Sequence, residues 1–525
     1  MNRYLTESFL WRFCAVVYAW LRGSFLGKIG SFFRQQWMSS WTYGFFAKLL
    51  CKEPAMRNSA LYRFGERSNE KLHAIGGALR RSYRNSFYAR TLLPYLQRSF
   101  FLRLLLGRGV TGLLLTCIGS YAIIDYVLRD ILQMGALASV WDEGLMLLCA
   151  LWIVVQRMGK AKVERSRSNP VDLLVAFYIL AGALLLIWTS SVYRHINITG
   201  YRASMQYLLL FFLVVRLIRD DRDFMRLYEL MIAIATVLAL YGIYQFIVGT
   251  EIPSNWTDMA EESVRTRVFA IFSNPNIMGA YMILFAPMAI GMAYAKKEPM
   301  AKIFYWFCGL CMCGACLFTM SRGAWLALVV AAVLFALIVD RKLFFLLLAG
   351  GLVACFLPFV RSRIGYLFTQ EFRASNQRGG RGVRWARAFK YLSDYQVWPC
   401  GLGYGMYGGA VAMQNQVNLQ FVYTYVDNYY VKTLAESGYL GLSALLTMLG
   451  GLLWNGARAC GRSSRSSYKP LCAGMLTAMI GTLIQSFFES LWEEPYLMAL
   501  FFTVAAMLIY AGFLRTPTEG KEEHL

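Results

Sequence analysis

From Gly109 onward the chain alternates long apolar runs with short polar breaks. Runs of about twenty residues, the length a helix needs to cross a bilayer, begin near Gly109, Leu132, Val171, Ser204, Phe224, Ile277, Ala301, Gly323, Leu343, Tyr429, Pro470 and Pro495. The ten-residue alternating segments of a transmembrane barrel are absent from the pattern. It predicts an all-α integral membrane protein with about twelve transmembrane helices. The second run is the weakest, because Asp142 and Glu143 interrupt it. The longest polar interruption, residues 361–428 between the ninth and tenth runs, predicts a large, partly helical external loop.

Residues 1–108 are basic and aromatic, with short apolar patches broken by Arg12, Arg22, Lys28, Arg34 and Lys48. They predict a cytoplasmic tail carrying interfacial helices against membrane lipids, and a polytopic body over residues 109–514. No small-residue cleavage site follows the patch from Phe13 to Leu21, so no signal peptide is expected. Loop charges orient the spans. The junctions at Arg157–Arg167, Arg219–Arg222, Lys296–Lys302, Arg341–Lys342 and Arg458–Lys469 are all basic, as loops on the cytoplasmic side should be. Both termini are then cytoplasmic, with 515–525 a short tail, and the segments Glu251–Asn276, Met320–Arg322 and Arg361–Asn428 lie outside. The last contains Arg361, Arg363, Arg373, Arg378, Arg381, Arg384 and Arg387 against the topological bias. Long loops cross regardless of charge, so arginines that topology does not require point to an anionic ligand.

Composition agrees with this division. Hydrophobic residues make up 58% of the chain and charged residues 16%, against about 25% charged in soluble domains. The net charge of +23 gathers at the ends of apolar runs, which fits topology and anionic lipid rather than nucleic acid. Cys308, Cys311, Cys313 and Cys316 invite a metal site, but on one helix they spread over more than half its circumference and cannot converge on one ion.

Candidate chemistry lies in the external segments. Arg267 precedes Ser273-Asn274-Pro275-Asn276, where Asn274 can cap the sixth helix and its N-terminus can receive a phosphate. Arg381, Arg384 and Arg387 recur every three residues and form one slanting ridge if helical, suited to clamping a pyrophosphate. Gly401-Leu402-Gly403-Tyr404-Gly405-Met406-Tyr407-Gly408 contains a formal G-x-G-x-x-G, but it follows no strand and reads as a tight turn. Asp427 and Asn428 stand at the mouth of the tenth span; Asp427 can accept a proton or orient a hydroxyl. Lys432 and Glu436, four apart, can neutralise each other.

Several of these features, in order, resemble the O-antigen ligase and polymerase superfamily. They are Arg267 ahead of Ser273-Asn274-Pro275-Asn276, the turn Ser321-Arg322-Gly323-Ala324-Trp325-Leu326, and Arg381 through Trp385. They continue through Trp398-Pro399-Cys400-Gly401-Leu402-Gly403 to Asp427-Asn428-Tyr429 and Glu436-Ser437-Gly438-Tyr439-Leu440-Gly441, so the resemblance covers residues 224–453. It implies a transferase in the bacterial cytoplasmic membrane that moves a glycan from a polyprenyl-pyrophosphate donor to a glycan or lipid-glycan acceptor outside. Inversion at the sugar and no metal or other cofactor are implied with it. Arg267 and Arg381 match the family's pyrophosphate-facing arginines, and Asn274, Asn276, Arg322, Arg384, Asn428 and Glu436 are the expected substrate contacts. Asp427 stands where the ligases carry histidine, which favours polymerase over ligase. The rival class is a secondary transporter or lipid-linked glycan flippase, for which Asp125 and Glu489 are the candidate intramembrane charges.

Overall fold

A computed structural model describes residues 109–158, 169, 171–188, 193–251, 266–366, 368–370, 374, 380–415, 426–463 and 467–515, with scattered residues between 67 and 91. The expectations for most of the tail 1–108, for Arg373 and Arg378, and for 516–525 lie outside the described residues, as does the side chain of Arg363. The chain divides into two compact units, Met1–Ala89 with Val155–Glu164, and Arg90–Val154 with Arg165–Leu525. The described part of the first consists of helical fragments; the second carries the architecture that follows.

The described residues contain helices and no strand. In order, they are α1 (Val110–Gly119), α2 (Tyr121–Tyr126), α3 (Gly135–Met158), α4 (Asp172–Trp188), α5 (Arg194–Met205), α6 (Leu209–Leu217) and α7 (Asp221–Val248). Then come α8 (Pro275–Ala295), α9 (Pro299–Phe318), α10 (Arg322–Ile338), α11 (Lys342–Phe356), α12 (Pro358–Tyr366), α13 (Arg381–Asp394) and α14 (Ala410–Asn415). The series ends with α15 (Tyr429–Arg462), α16 (Tyr468–Gln485) and α17 (Pro495–Ile509).

Seven of these helical stretches are long and apolar enough to cross a membrane, and eight if α1 and α2, bent by 72° at their junction, act as one span. This is a multi-pass helical membrane protein. A helix starts near every position where the sequence predicts a span, but α4, α10 and α11 are shorter than a full crossing and α16 is not among the candidate spans, so twelve is not reached by length and composition. The fourth predicted span begins earlier than expected, at Arg194. Asp142, which weakened the second, is buried in α3 and satisfied there: its Oδ2 accepts from Tyr207 Oη at 2.5 Å, Gln206 Nε2 at 3.0 Å and Tyr121 Oη at 3.2 Å.

Helix boundaries follow local chemistry. The Asp220 carboxylate accepts from Asp223 N to cap α7, whose far end stops at Gly249 in the left-handed region. Asn274 caps α8 and Pro275 opens it. α8 forms the centre of the bundle, with 89% of its apolar window buried against 28% for the peripheral α3 and α9. Its contact with α16 depends on small residues: a Cβ on Gly474 would stand 2.6 Å from Pro287 O, and one on Gly291 would stand 2.5 Å from Pro470 O. Backbones that approach this closely gain the dispersion contact that replaces a hydrophobic driving force inside a bilayer.

Candidate functional site

One end of the bundle gathers the polar chemistry. The loop before α8 is fixed from α7, where Gln245 Oε1 accepts from Ala270 N at 2.8 Å and Phe269 N at 3.3 Å. Val268 N donates to Phe318 O at the end of α9. These bonds hold Arg267 in place: its Nε donates to Thr319 O at 3.1 Å and its Nη2 to Asn276 Oδ1 at 3.3 Å. Asn276 turns its other end to Glu489, Nδ2 donating to Oε2 at 2.7 Å. Asn274 itself is a cap, its Oδ1 accepting from Asn276 N at 2.8 Å.

The arginine helix closes the opposite side. α13 is a helix, as the arginine spacing predicts, but its three guanidinium groups do not form one ridge. Arg387 is exposed, whereas Arg384 Nη1 pairs with Asp427 Oδ2 at 2.7 Å and Arg381 Nε lies 3.6 Å from the same oxygen. Two steps of three residues already rotate the third side chain away from the first. Trp385 Nε1 donates to Val426 O, and Tyr407 Oη to Arg384 O, so both α13 and the glycine tract hold the Asp427 turn. Asp427 occupies the left-handed region at φ 52°. Asn428 is buried and caps α15, accepting from Tyr430 N and Val431 N at 3.0 Å each, so capping accounts for its side chain.

The two sides share one electrostatic field. Burial lowers Arg267 to about 10; Glu489 opposes that shift, and Arg322 and Arg381 add to it. Burial lifts Glu489 to about 7, reinforced by Asp427 and opposed by Arg381 and by the bond from Asn276. Burial also raises Asp427 above the usual carboxylate range, and Arg384 and Arg381 pull it part of the way back. Arg267 thus feels Glu489, Arg322 and Arg381, and Glu489 feels Asp427 and Arg381, so the two sides are electrostatically linked. The first turns of α10 and α13, which open on Arg322 and Arg381, carry no side-chain cap, unlike those of α8 and α15.

Glu436 belongs to a different arrangement. It is buried and accepts from Lys432 Nζ at 3.3 Å, the expected pairing, and from Gly405 N at 3.0 Å. Lys432 also pairs with Glu493 at 2.7 Å. α15 breaks at Gly438, φ 63° and ψ −164°, and the tract from Trp398 to Gly405 fills the break. Leu402 N donates to Ala435 O at 2.8 Å, Gly403 N to Glu436 O at 2.9 Å, Tyr439 N to Trp398 O at 2.8 Å and Leu440 N to Pro399 O at 3.1 Å. The glycines thus let two backbones meet, and the N–H groups of Gly403 and Gly405 are spent on a broken helix instead of a nucleotide.

Glu489 is the residue missing from the expected set. Among Phe487, Phe488, Leu491 and Trp492 it reads as an intramembrane charge, while the structure joins it to Asn276 in the α16–α17 turn. The available signal was charge balance: a carboxylate between two apolar runs at the same end as the external arginines. Among the described residues, no three His, Cys, Asp or Glu side chains are grouped to hold a metal ion.

Residues 307–446 match the model of the O-antigen ligase family. The likeness to the O-antigen ligase superfamily rests on this segment. The match includes Arg322, Arg381, Arg384, Asp427, Asn428 and Glu436, and leaves Arg267, Asn274, Asn276 and Glu489 outside it. No curated protein matches the chain.

Proposed function

We propose that this chain transfers or polymerises a polyprenyl-pyrophosphate-linked glycan at the outer face of the bacterial cytoplasmic membrane, with polymerisation favoured over ligation. The observation that carries the reading is the convergence of Arg267, Arg322 and Arg381 on one end of an apolar helical bundle. With the basic junctions inside, that end lies outside, and the shorter helices complete about twelve spans. The lean towards a polymerase rests on Asp427 standing where the ligases carry histidine.

The pyrophosphate sits between the uncapped first turns of α10 and α13 and faces the three arginines. The acceptor hydroxyl oxygen attacks the anomeric carbon from the face opposite the pyrophosphate, so the new glycosidic bond forms with inversion. As the old carbon–oxygen bond breaks, its electron pair passes to the departing pyrophosphate. The arginines and helix dipoles stabilise that charge in a site with little water to reorganise. The hydroxyl proton passes to a carboxylate, and no step calls on a metal. Glu489, raised to about 7, suits that role better than Asp427, whose Oδ2 already accepts from Arg384. Asp427 holds the arginines to the donor side.

Reconstituting the full chain in vesicles with a polyprenyl-pyrophosphate oligosaccharide tests the reading. Lengthened glycan supports a polymerase, and transfer to a lipid-glycan acceptor supports a ligase. Lipid scrambling with no transfer overturns both in favour of a flippase, and full activity in Arg381→Ala removes the pyrophosphate assignment.

A further inference from the structure

We propose that Gln485 is a substrate-contacting residue that selects the donor sugar by its carbon-2 substituent. The inference rests on the transferase reading above and adds a specificity determinant to it. Gln485 closes α16 and is 1% exposed, yet neither Nε2 nor Oε1 has a hydrogen-bond partner. Buried amides nearly always bond at both ends, so one left open at both marks a place for a polar group from outside the chain.

Its position identifies that place. α16 packs along α10, where a Cβ on Gly481 would stand 3.0 Å from Ala331 Cβ. One turn further, a Cβ on Gly323 would stand 2.9 Å from Gln485 Oε1 and 2.8 Å from Phe488 Cβ. The amide therefore lies against the first turn of α10, which has no side-chain cap and opens on Arg322. Four residues beyond Gln485, Glu489 bonds Asn276. Gln485 thus lies between the arginine side of the site and the carboxylate side.

The chemistry of the amide narrows its ligand. A phosphate oxygen only accepts; it would satisfy Nε2 and leave Oε1 buried and unpaired. The group that fits must donate and accept together. In a sugar linked to pyrophosphate, the first such group beyond the anomeric carbon is the carbon-2 substituent. A hydroxyl does both, and an acetamido group pairs with the glutamine amide to amide. A 2-deoxy sugar does neither.

The test measures binding of the purified full chain in nanodiscs to polyprenyl pyrophosphate alone and to its 2-hydroxy, 2-acetamido and 2-deoxy hexosyl derivatives. The chain should bind the 2-deoxy donor about 100-fold more weakly than the better of the other two, because the 2-deoxy sugar leaves both ends of a buried amide unpaired. Gln485→Met should bring that ratio near unity and leave the affinity for polyprenyl pyrophosphate unchanged. Gln485→Glu, which keeps the length and removes the donor, should lose the acetamido sugar; helicity and monodispersity check that each variant folds. An unchanged ratio in both variants overturns the proposal, and so does an equal loss of sugar-free polyprenyl pyrophosphate, which would make Gln485 a phosphate contact. Failure of the unaltered chain to bind any of the four ligands overturns the transferase reading as well, so the two failures are distinct.

Discussion

Asn276 donates to the Glu489 carboxylate through Nδ2 at 2.7 Å while its Oδ1 accepts from Arg267. An amide can donate to an anion and accept from a cation on two atoms of one side chain without changing its own charge. In the proposed mechanism it therefore links Arg267, facing the leaving pyrophosphate, to Glu489, the proton acceptor. Glu489 must be ionised to take a proton, so transfer should be slow in acid and rise through a pH of about 7. Asn276→Asp removes the donor and adds negative charge, which should move that midpoint upward. Glu489→Gln should lower kcat by about 100-fold or more and flatten the limb, the usual scale for a lost general base. A pH profile in Glu489→Gln that keeps its limb assigns the proton elsewhere.

Asp427 offers the contrasting case. Its backbone, at φ 52°, suits Asn better than most residues, so Asp427→Asn changes charge with little added strain. The ion pair with Arg384 at 2.7 Å becomes a neutral hydrogen bond, and Arg381 loses its nearby anion. The donor KM should rise by about 10-fold while the pH limb stays in place, since charge-assisted bonds are roughly twice as strong as neutral ones. Steady-state kinetics across pH separate this outcome from proton acceptance by Asp427, which would erase the limb.

Helix starts were legible where capping chemistry marks them, as at Asn274-Pro275, Asn428 and Pro495. They were less so at Arg194, where the first half of the fourth span is polar on average. The arginines of the site were legible because nothing in topology explains them. Their separation was not: Arg387 turns outward from Arg381 and Arg384, which a three-residue spacing hides. Glu436 was read both as a substrate contact and as the partner of Lys432; the pair is present, and its bond to Gly405 depends on a helix break that no periodicity announces. Glu489 reads as an intramembrane charge and Gln485 gives no signal, because both sit among aromatic residues beside an apolar helix end, where only the fold brings them to the arginines.

Lys432 stands between Glu436 and Glu493, with side-chain exposures of 10%, 4% and 12%. Removing the cation leaves two buried carboxylates facing each other, so Lys432→Met should destabilise the chain by about 3 kcal/mol, as for other broken buried pairs. The double variant with Glu493→Gln should recover part of that loss. Thermal unfolding in detergent reads both, and additive losses would show that the pair is not coupled.

Gly438 makes the sharpest demand on residue type. It is the one non-helical position inside α15, in the left-handed half of backbone space at φ 63°. A Cβ there would stand 2.5 Å from Trp398 O, closer than real contacts allow. That carbonyl is the acceptor for Tyr439 N across the break, so the added methyl group strains the backbone and also displaces the tract. Gly438→Ala should therefore cost about 2 kcal/mol or more in stability, at the upper part of the range for a residue forced into an unfavourable region. The loss should extend to Glu436, whose bond to Gly405 N depends on the tract staying docked. Gly450, twelve residues along the same helix with open space around it, is the control, and Gly450→Ala should be neutral or slightly stabilising. Equal unfolding temperatures for the two variants would refute the docking role assigned to the break.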